Sequence, residues 1–406
     1  MVAAGGGVAE DRRHGEAGLY LHVPFCSRIC PYCDFAVVTG GPDRRRRFAD
    51  SLVTEIAMVG GQGGWREVGA GPAGGGGGFG AFDTIYFGGG TPSALEPAEL
   101  ARILDAAGAA LPLRDPWIFL EANPEDVGLE SLRAWRELGV RTLSLGVQAF
   151  DEAALRFLGR RHDPKQAARS VLLAREAGFD TVSVDLIYGL PDDSVERWRG
   201  TLERAVELAP DHLSCYQLTI HEGTPFGFRA ARGELAELPE EGQADLFLLT
   251  HEFLNDQGFQ GYEVSSFARG AEHRSRHNRK YWDHTPYLGL GPSAHSFAAG
   301  RRWWNERKLP RWEARLAAGE RPITASEELS PSDLALEAVM LGLRTYEGID
   351  LERFLERYGV DLVARNERLV ADLVAAGLLR IDGSVLVPTL RGLAIADSLV
   401  RKLDVE

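Results

Sequence analysis

The most informative segment of the chain is Leu19-Tyr-Leu-His-Val-Pro-Phe-Cys-Ser-Arg-Ile-Cys-Pro-Tyr-Cys-Asp-Phe35. Its apolar start has the character of a β-strand, and Cys26, Cys30 and Cys33 follow directly with the spacing C-x3-C-x2-C. Three thiolates spaced in this way can ligate three irons of a [4Fe–4S] cube, and no fourth cysteine lies near them. The fourth iron would then keep an open coordination position, as a catalytic metal site must.

The cysteines also have three more ordinary interpretations. A disulfide framework is disfavoured because the chain has only 4 cysteines in 406 residues and three of them lie together. A structural zinc site normally has four ligands, and the candidate fourth ligand, His22, would lie on the strand itself. Inert buried thiols stay open as well, although two prolines beside them are unusual for such a loop. The remaining cysteine, Cys215, has the character of a small core residue, and we assign it no role.

The composition is that of a soluble globular protein, long enough for one large domain and a small one. The formal net charge of −14 argues against an extended nucleic-acid surface, which needs an excess of lysine and arginine. No apolar run approaches the length of a membrane-spanning helix, and the N-terminus lacks the basic and apolar regions of a signal peptide. Because free thiols that bind iron favour a reducing compartment, we expect a cytoplasmic protein without a nucleic-acid partner.

Residues 18–260 alternate apolar runs with amphipathic helical patterns. This alternation predicts an α/β fold with a parallel sheet, and six βα units would form a partial (β/α)6 barrel of the TIM type. The predicted strands are Leu19–Val23, Thr84–Phe87, Trp117–Glu121, Thr142–Val147, Thr181–Ile187 and His212–Leu218. The predicted helices between them are Arg44–Met58, Pro97–Ala110, Leu129–Leu138, Pro164–Ala177 and Val195–Leu208.

Three other regions surround or interrupt the predicted barrel. Residues 1–17 are expected to be a disordered tail, and the glycine-dense stretch 60–80 is expected to be a flexible surface insertion. After a helix at Gln243–Gln257, residues 261–329 are expected to form an aromatic-rich connector.

The last part of the chain, residues 330–406, changes character. A hairpin with an Asp-Gly turn is predicted at Leu379–Val387, followed by a final helix at Thr389–Leu403. Helices followed by a β-wing are typical of a winged-helix-like α+β module, which in this acidic chain is expected to pack against the barrel rather than to bind DNA. The three helices predicted before the hairpin are Asp333–Leu343, Leu351–Tyr358 and Leu362–Ala376.

Several unusual residues follow predicted strands, and barrel enzymes carry their reactive residues at the carboxyl ends of strands. Glycines in Gly88-Gly-Gly-Thr-Pro92 would let backbone groups approach a ligand closely, although most such loops are plain turns. Glu121 would accept hydrogen bonds from ribose hydroxyls, or serve as a capping or ion-pairing residue. Gln148 follows the fourth strand. Asp185 lies inside the fifth strand, where a carboxylate needs a partner, and Arg160 is the candidate, either beside a ligand or in a structural ion pair.

A second unusual cluster is His273-Arg-Ser-Arg-His-Asn-Arg-Lys-Tyr-Trp282, in the predicted connector. His277 is a candidate axial ligand of haem iron, and Tyr281 and Trp282 offer flat apolar faces to a porphyrin. Arginines of the same segment are candidates for pairing with porphyrin propionates, namely Arg274, Arg276 and Arg279. From the residues alone, the alternative interpretation is a solvated basic loop.

Taken together, these segments resemble the radical S-adenosylmethionine (SAM) family of oxygen-independent coproporphyrinogen III oxidases and their haem-chaperone relatives. The resemblance covers nearly the whole chain from Tyr20 onward and rests on Tyr-Leu-His-Val-Pro-Phe-Cys, Phe-Gly-Gly-Gly-Thr-Pro-Ser, Glu-Ala-Asn-Pro-Glu, Gly-Val-Gln-Ala-Phe, Asp-Leu-Ile-Tyr-Gly-Leu-Pro and His-Asn-Arg-Lys-Tyr-Trp. It implies a [4Fe–4S] cluster on the three cysteines, SAM on the open iron, and bound haem. The residues that it implies for SAM and haem are Tyr20, Tyr32, Gly89, Gly90, Thr91, Glu121, Gln148, Arg160 and Asp185 for SAM, and His277 for haem.

Two departures from the oxidase pattern favour the chaperone branch. The oxidases have a further cysteine where this chain has Phe35, and a longer segment ahead of the cysteine motif. His277-Asn-x-x-Tyr-Trp282 is instead the signature of the haem chaperones. The resemblance therefore implies transfer of haem to membrane or respiratory haem proteins. The cluster would either cleave SAM during this transfer or serve only as a structural scaffold. Oxidative decarboxylation of coproporphyrinogen III is the alternative, and the identity of the acceptor and a homodimer stay open.

Overall fold

A computed structural model describes residues 16–61 and 79–405 of the chain. The predicted disordered tail and the predicted glycine-rich insertion lie almost wholly outside the described residues. Within the described part, the largest apolar core lies between the central sheet and its helices, and another lies in the C-terminal module.

Six parallel strands form the centre of the main sheet and confirm the predicted partial barrel. Leu19, Leu143 and Val184 on these strands are inaccessible to solvent, as expected for strands that are covered on both faces. The strands pair in chain order, so their carboxyl ends lie at one end of the barrel. Their bounds are β1 Ala17–Val23, β2 Phe82–Gly89, β3 Leu113–Ala122, β4 Val140–Gln148, β5 Thr181–Tyr188 and β6 His212–Gln217.

Helices that follow the strands pack on the outside of the sheet, and their starts carry recognisable signals. The Asp163 carboxylate accepts a hydrogen bond from the Gln166 N–H, and the Ser194 hydroxyl does the same for Arg197. In the described part of the chain, no helix has the length and apolar character that a bilayer crossing requires. The helix bounds are α1 Pro42–Gly60, α2 Pro97–Ala110, α3 Leu129–Glu137, α4 Glu152–Phe157, α5 Pro164–Glu176, α6 Val195–Glu207, α7 Pro225–Ala231 and α8 Glu240–Asp256.

The stretch 261–329 differs from the predicted connector, because it carries several strands that extend the sheet at both edges. A strand at Tyr287–Leu290 pairs parallel to β1, and three antiparallel strands continue from it, while a strand at Ser266–Ala268 pairs antiparallel to β6. Sequence alternation misses these strands because most contain only two to five residues. The bounds are β7 Gln260–Gly261, β8 Ser266–Ala268, α9 Arg276–Trp282, β9 Tyr287–Leu290, β10 His295–Ala298, β11 Arg301–Asn305, α10 Leu309–Ala317 and β12 Ile323–Glu328.

The C-terminal module contains helices around a three-stranded sheet, and its predicted hairpin is confirmed with Gly383 in the left-handed region at φ 61°. The helix predicted at Leu362–Ala376 is divided at Asn366, whose side-chain amide donates to the carbonyls of Leu362 and Asp404. The bounds are α11 Pro331–Gly342, β13 Ile349–Asp350, α12 Leu351–Tyr358, α13 Leu362–Arg365, α14 Glu367–Ala375, β14 Leu379–Asp382, β15 Val385–Pro388, α15 Leu390–Leu393 and α16 Ala396–Val400.

Candidate functional site

A cavity of about 440 Å³ lies inside the barrel. It extends from the cysteine loop at the carboxyl ends of the strands to Thr142 and Thr181 near their amino ends. Its volume lies in the range of small-molecule sites. The structure brings most of the predicted site residues to this cavity, namely Cys26, Cys30, Tyr32, Cys33, Gly89, Gly90, Thr91, Glu121, Gln148, Arg160 and Asp185.

The cysteine loop is held against the barrel by its backbone. The Cys26 N–H donates to the Val38 carbonyl at 3.0 Å, and the Val38 N–H donates to the Pro24 carbonyl at 2.7 Å. The Cys33 N–H donates to the Cys30 carbonyl at 3.1 Å, which closes a tight turn between two of the thiols. All 4 cysteines of the chain are free thiols. The three in the loop are partly accessible and therefore available to a metal.

Polar side chains surround the loop sulfurs. The Thr91 hydroxyl donates to Cys26 Sγ, and Arg160 Nη1 donates to Cys30 Sγ, each at 3.6 Å. Burial raises the pKa of the Cys26 thiol to about 11, and burial also raises the pKa of the Cys33 thiol. Iron ligation replaces the thiol proton outright, and donors aimed at sulfur then stabilise the thiolate. This donor set fits an iron–sulfur cluster.

The described residues contain no group of three His, Cys, Asp or Glu side chains that converge as a single metal ion requires. In a [4Fe–4S] cube each thiolate binds a different iron, so the three sulfurs lie around the cluster rather than around one atom. Three thiols that surround one cavity without converging on a single point are therefore compatible with a [4Fe–4S] cluster.

The glycines of the loop after β2 are required by close packing. Gly89 has φ 109°, and a Cβ on it would lie 2.5 Å from the ring of His22. A Cβ on Gly90 would lie 2.7 Å from the carbonyl oxygen of Phe25. Only residues without a side chain permit this approach. The packing brings Thr91 against Cys26 and leaves backbone groups facing the cavity.

Glu121 is held by two donors at the cavity wall. The Tyr86 hydroxyl donates to Oε1 at 2.8 Å, and the Gly89 N–H donates to Oε2 at 3.1 Å. Burial raises the pKa of Glu121 to about 7, an effect that these hydrogen bonds reduce and the nearby Asp185 increases. The carboxyl group is thus placed to accept hydrogen bonds from a ligand.

The predicted pair between Arg160 and Asp185 does not form between these two described side chains. The Asp185 carboxylate instead accepts from the Ser144 hydroxyl at 3.0 Å, and burial raises its pKa to about 6. Arg160 donates to Asn123 Oδ1 and to the Gly146 carbonyl. The reason is position: Arg160 reaches the cysteine loop, whereas Asp185 lies deeper within β5.

Gln148 adopts an unusual backbone conformation at the end of β4. Its φ is 69°, a region that residues other than glycine rarely occupy, and the pairing register with β5 shifts between Gly146 and Gln148. Such a bulge re-aims a side chain, and strained positions of this kind cluster at ligand sites. Gln148 lines the cavity.

Two predicted site residues, Tyr20 and His277, do not line the cavity. They lie behind Tyr86, whose ring centroid is 6.2 Å from that of Tyr20 and 5.1 Å from that of His277. The Tyr20 hydroxyl donates to His22 Nδ1 at 3.1 Å, since His22 Nε2 donates to the Ala36 carbonyl. Tyr20 therefore supports the cavity wall without facing a ligand.

His277 is completely buried, and both of its ring nitrogens have partners. Nδ1 is hydrogen-bonded to the Thr84 hydroxyl and Nε2 to the Tyr281 hydroxyl, each at 2.9 Å. Burial lowers the pKa of His277 to about 3, so the ring is neutral. In this conformation neither nitrogen is available to haem iron, and Tyr281 is occupied as well.

The segment around His277 closes the amino end of the barrel. His273 Nδ1 is hydrogen-bonded to the Thr181 hydroxyl at 2.9 Å, and Asn278 lines the lower cavity. The arginines expected for propionates have partners within the protein. Arg274 and Arg279 pair with Glu347, and Arg276 lies 4.4 Å from the Trp117 ring centroid.

Sequence reasoning missed several cavity residues, among them Asn123, Tyr86 and His221. Asn123 Nδ2 donates to the Thr91 hydroxyl at 3.0 Å and so links Thr91 to Arg160. Tyr86 positions Glu121, and His221 lines the cavity mouth. Asn123 lies in a motif that the sequence analysis used, but only the folded contacts show its role.

Comparison with known proteins matches two family models to the chain. The model described as Radical SAM superfamily matches residues 20–205, and the model described as HemN C-terminal domain matches residues 329–395. In solved structures, "Coproporphyrinogen III oxidase (HemN) from Escherichia coli is a Radical SAM enzyme" aligns with a TM-score of 0.79 at 24% identity, covering 95% of this chain and 89% of that one. This likeness agrees with the predicted fold class.

Curated relatives match over nearly the whole chain. "Heme chaperone HemW" of Mycobacterium tuberculosis (strain ATCC 25618 / H37Rv) is 36% identical over 394 residues, covering 95% of this chain and 94% of the relative. "Heme chaperone HemW" of Bacillus subtilis (strain 168) is 31% identical over 375 residues, covering 92% and 95%. "Radical S-adenosyl methionine domain-containing protein 1, mitochondrial" of Mus musculus is 32% identical over 399 residues, covering 95% and 87%.

Proposed function

The chain belongs to the HemW family of radical SAM proteins, and we propose that it is a haem chaperone, which binds haem and transfers it to acceptor haem proteins. The observation that carries this proposal is the identity with proteins named "Heme chaperone HemW" over nearly the full length of both chains. The free thiols and the carboxyl groups at one cavity support its cluster and SAM part.

In this proposal Cys26, Cys30 and Cys33 ligate a [4Fe–4S] cluster. When bound, the cluster supplies an open iron for the amino and carboxylate groups of SAM and an electron for SAM reduction. Thr91 and Arg160 already donate to two of the sulfurs, so they would orient the ligands and adjust their basicity.

The proposed SAM contacts follow from what each residue presents to the cavity. Glu121 and Asp185 present carboxyl oxygens, which accept hydrogen bonds from hydroxyl groups such as those of ribose. Gly89 and Gly90 present backbone groups without side chains that would block an approaching ligand. The remaining proposed contacts in the cavity are Tyr32, Thr91, Gln148 and Arg160.

Phe35 bears on the oxidase alternative. It stands where the resemblance places a further cysteine in the oxidases, and its side chain is 61% exposed at the cavity mouth. A mouth without that thiol lacks one of the parts that would position a coproporphyrinogen for reaction. We therefore expect no decarboxylation of coproporphyrinogen III when SAM and a reductant are supplied.

The proposed location is the cytoplasm, because free thiols that bind iron require a reducing compartment. The proposed acceptors are membrane or respiratory haem proteins.

Anaerobic reconstitution tests the cofactor part of the proposal. We expect about four irons and four sulfides per chain in the wild-type protein and a large loss of both in Cys30→Ser. Cys215→Ala is the matched control, because Cys215 is a buried strand residue that does not line the cavity. Zinc in place of iron, or equal losses in both variants, would contradict the cluster assignment.

Haem delivery tests the chaperone part. The reconstituted protein is loaded with haem and mixed with haem-depleted respiratory membranes, and the haem spectrum of the membranes is followed. We expect faster recovery than with the same amount of free haem. Recovery no faster than with free haem, or turnover of coproporphyrinogen III, would count against the chaperone.

A further inference from the structure

The loop after β6 places a histidine, His221, at the mouth of the cavity. Its backbone is held firmly, because its carbonyl accepts from the Thr224 hydroxyl at 2.7 Å and from the Thr224 N–H at 3.3 Å. Thr224 also caps α7, since its hydroxyl accepts from the Gly227 N–H at 3.0 Å. A Cβ on Gly227 would lie 2.3 Å from the same His221 carbonyl, so α7 packs directly against the loop.

The His221 ring differs from the other described histidines that line the cavity. His212 is hydrogen-bonded at both nitrogens, to Ser183 and Tyr262, and His273 is hydrogen-bonded to Thr181. The His221 side chain is 48% exposed, and among the described residues neither of its nitrogens has a hydrogen-bond partner. It is therefore a histidine ring at the cavity mouth that a ligand can reach.

A carboxylate lies on one side of the same ring. His221 Nδ1 is 3.9 Å from Asp34 Oδ2, in the cysteine loop. Metal-ligating histidines usually direct one ring N–H toward a carboxylate, carbonyl or water, and this partner fixes the tautomer and leaves the other nitrogen for the metal. At 3.9 Å the two atoms are beyond hydrogen-bond distance in this conformation, but Asp34 lies on the Nδ1 side of the ring, which leaves Nε2 as the nitrogen for a metal.

We propose that His221 is the axial ligand of the haem iron, with the haem lying over the mouth of the barrel rather than against His277. This inference rests on the proposed haem-binding function and adds the location and the iron ligand. A neutral imidazole is the ordinary proximal ligand of haem iron. The completely buried His277 would have to break hydrogen bonds to Thr84 or Tyr281 before it could reach an iron.

The surroundings of His221 suit a flat apolar macrocycle with acidic edges. Phe35 lines the same mouth with 61% of its side chain exposed. Ile29 of the cysteine loop is 44% exposed but does not line the cavity. Exposed large apolar side chains beside a cavity are typical of binding surfaces. Arg28 also lines the cavity, and its guanidinium can pair with a propionate.

Ferric haem added to the anaerobically reconstituted protein tests the proposal by electron paramagnetic resonance, in which the oxidised cluster is silent. We compare the wild type with His221→Gln. The matched control is His295→Gln, since His295 stacks on Trp304 with ring centroids 5.5 Å apart and does not line the cavity. We expect His221→Gln to change the haem signal and to weaken haem binding more than about tenfold, because loss of a group that only orients a ligand already costs that much. His295→Gln is expected to match the wild type.

A rescue experiment separates ligation from any change in folding. In His221→Gly, added imidazole is expected to restore the wild-type haem signal. If His221→Gln binds haem with the same signal and affinity as His295→Gln, His221 is not the ligand, and the proposed chaperone function is untouched. If the wild-type protein binds no haem, both the ligand assignment and the proposed function are wrong.

Discussion

The buried carboxyl group of Glu121 at the cavity wall is expected to make the stability of the protein depend on pH. The folded pKa of Glu121 is raised by burial to about 7 from an ordinary value of 4.5. Between pH 4.5 and about pH 7, Glu121 is therefore protonated in the folded state but ionised in the unfolded state. The contribution of Glu121 to stability is fully present below pH 4.5, and it falls as the pH rises through about 7.

The size of the effect follows from this difference in pKa, which is worth up to about 3 kcal/mol once Glu121 is ionised in both states. Because Glu121 lines an open cavity, solvent screens part of its charge, and about 3 kcal/mol is therefore the upper limit. In Glu121→Gln the pH-dependent cost disappears. The free energy of unfolding of the variant, relative to wild type, is therefore expected to rise by about 1–3 kcal/mol between about pH 5 and about pH 8.

Urea unfolding of the apoprotein, followed by circular dichroism at both pH values, measures this difference. Glu130→Gln is the control for loss of one negative charge, because Glu130 is exposed on α3, outside the cavity. SAM binding to the reconstituted protein is measured in parallel and is expected to weaken in Glu121→Gln alone. A stability difference that stays constant or falls as the pH rises would refute the assignment of Glu121 as a buried carboxyl that is costly to ionise.

Two further substitutions test other parts of the structure. Gly89→Ala is expected to lower retained iron severalfold, because the new Cβ would lie 2.5 Å from the His22 ring, beside the loop that holds Thr91 against Cys26. The control is Gly108→Ala in α2, where the space around the Cβ is open. This control should retain iron fully, and its free energy of unfolding should rise by about 0.5–1 kcal/mol. Glu337→Gln is expected to weaken the attachment of the C-terminal module by about 1 kcal/mol, a modest value because the pair is partly exposed. The pKa of Glu337 is lowered to about 2 by hydrogen bonds from His284 and Arg302, so the wild-type advantage should be full above pH 4.5 and vanish as the pH falls toward 2. An unchanged pH profile of unfolding in Glu337→Gln, or full iron retention in Gly89→Ala, would contradict these contacts.

The barrel could be predicted from the sequence because its strands are long apolar runs that alternate with amphipathic helices. Parallel pairing in chain order then brings the ends of the strands together, and this explains why Cys26, Thr91, Glu121 and Gln148 meet at one cavity. Pattern and topology together were enough to place residues that directly end a strand.

Contacts that depend on side-chain direction could not be predicted in this way. Arg160 was expected beside Asp185, but its guanidinium reaches Asn123 and Cys30 instead. The aromatic and basic segment around His277 has the composition of a ligand-binding loop, yet its side chains pair with groups of the barrel floor and with Glu347 of the C-terminal module. Composition does not distinguish a buried partner from a bound ligand, because both satisfy the same hydrogen-bonding groups.

His277 itself provides the last test, because its position connects the barrel floor to the SAM side of the cavity. Its ring packs on Tyr86, whose hydroxyl donates to Glu121. In His277→Ala the hydroxyls of Thr84 and Tyr281 lose their partner and a cavity remains, so the free energy of unfolding should fall by about 2–4 kcal/mol. Tyr86 would then be less firmly held, and SAM affinity should fall even when no haem is present.

The control is His277→Phe, which keeps the ring packing but removes the hydrogen bonds, and whose effect on SAM affinity should be smaller. Calorimetric SAM titration of the haem-free, reconstituted protein measures both variants. If His277→Ala leaves stability and haem-free SAM binding unchanged, His277 is not part of the barrel support. If stability and haem-free SAM affinity both fall in His277→Ala, a disturbed cavity wall explains any haem-binding defect of a His277 variant. Such a defect would then not identify His277 as an iron ligand, and only a ligand-specific signature, such as rescue by imidazole, would do so.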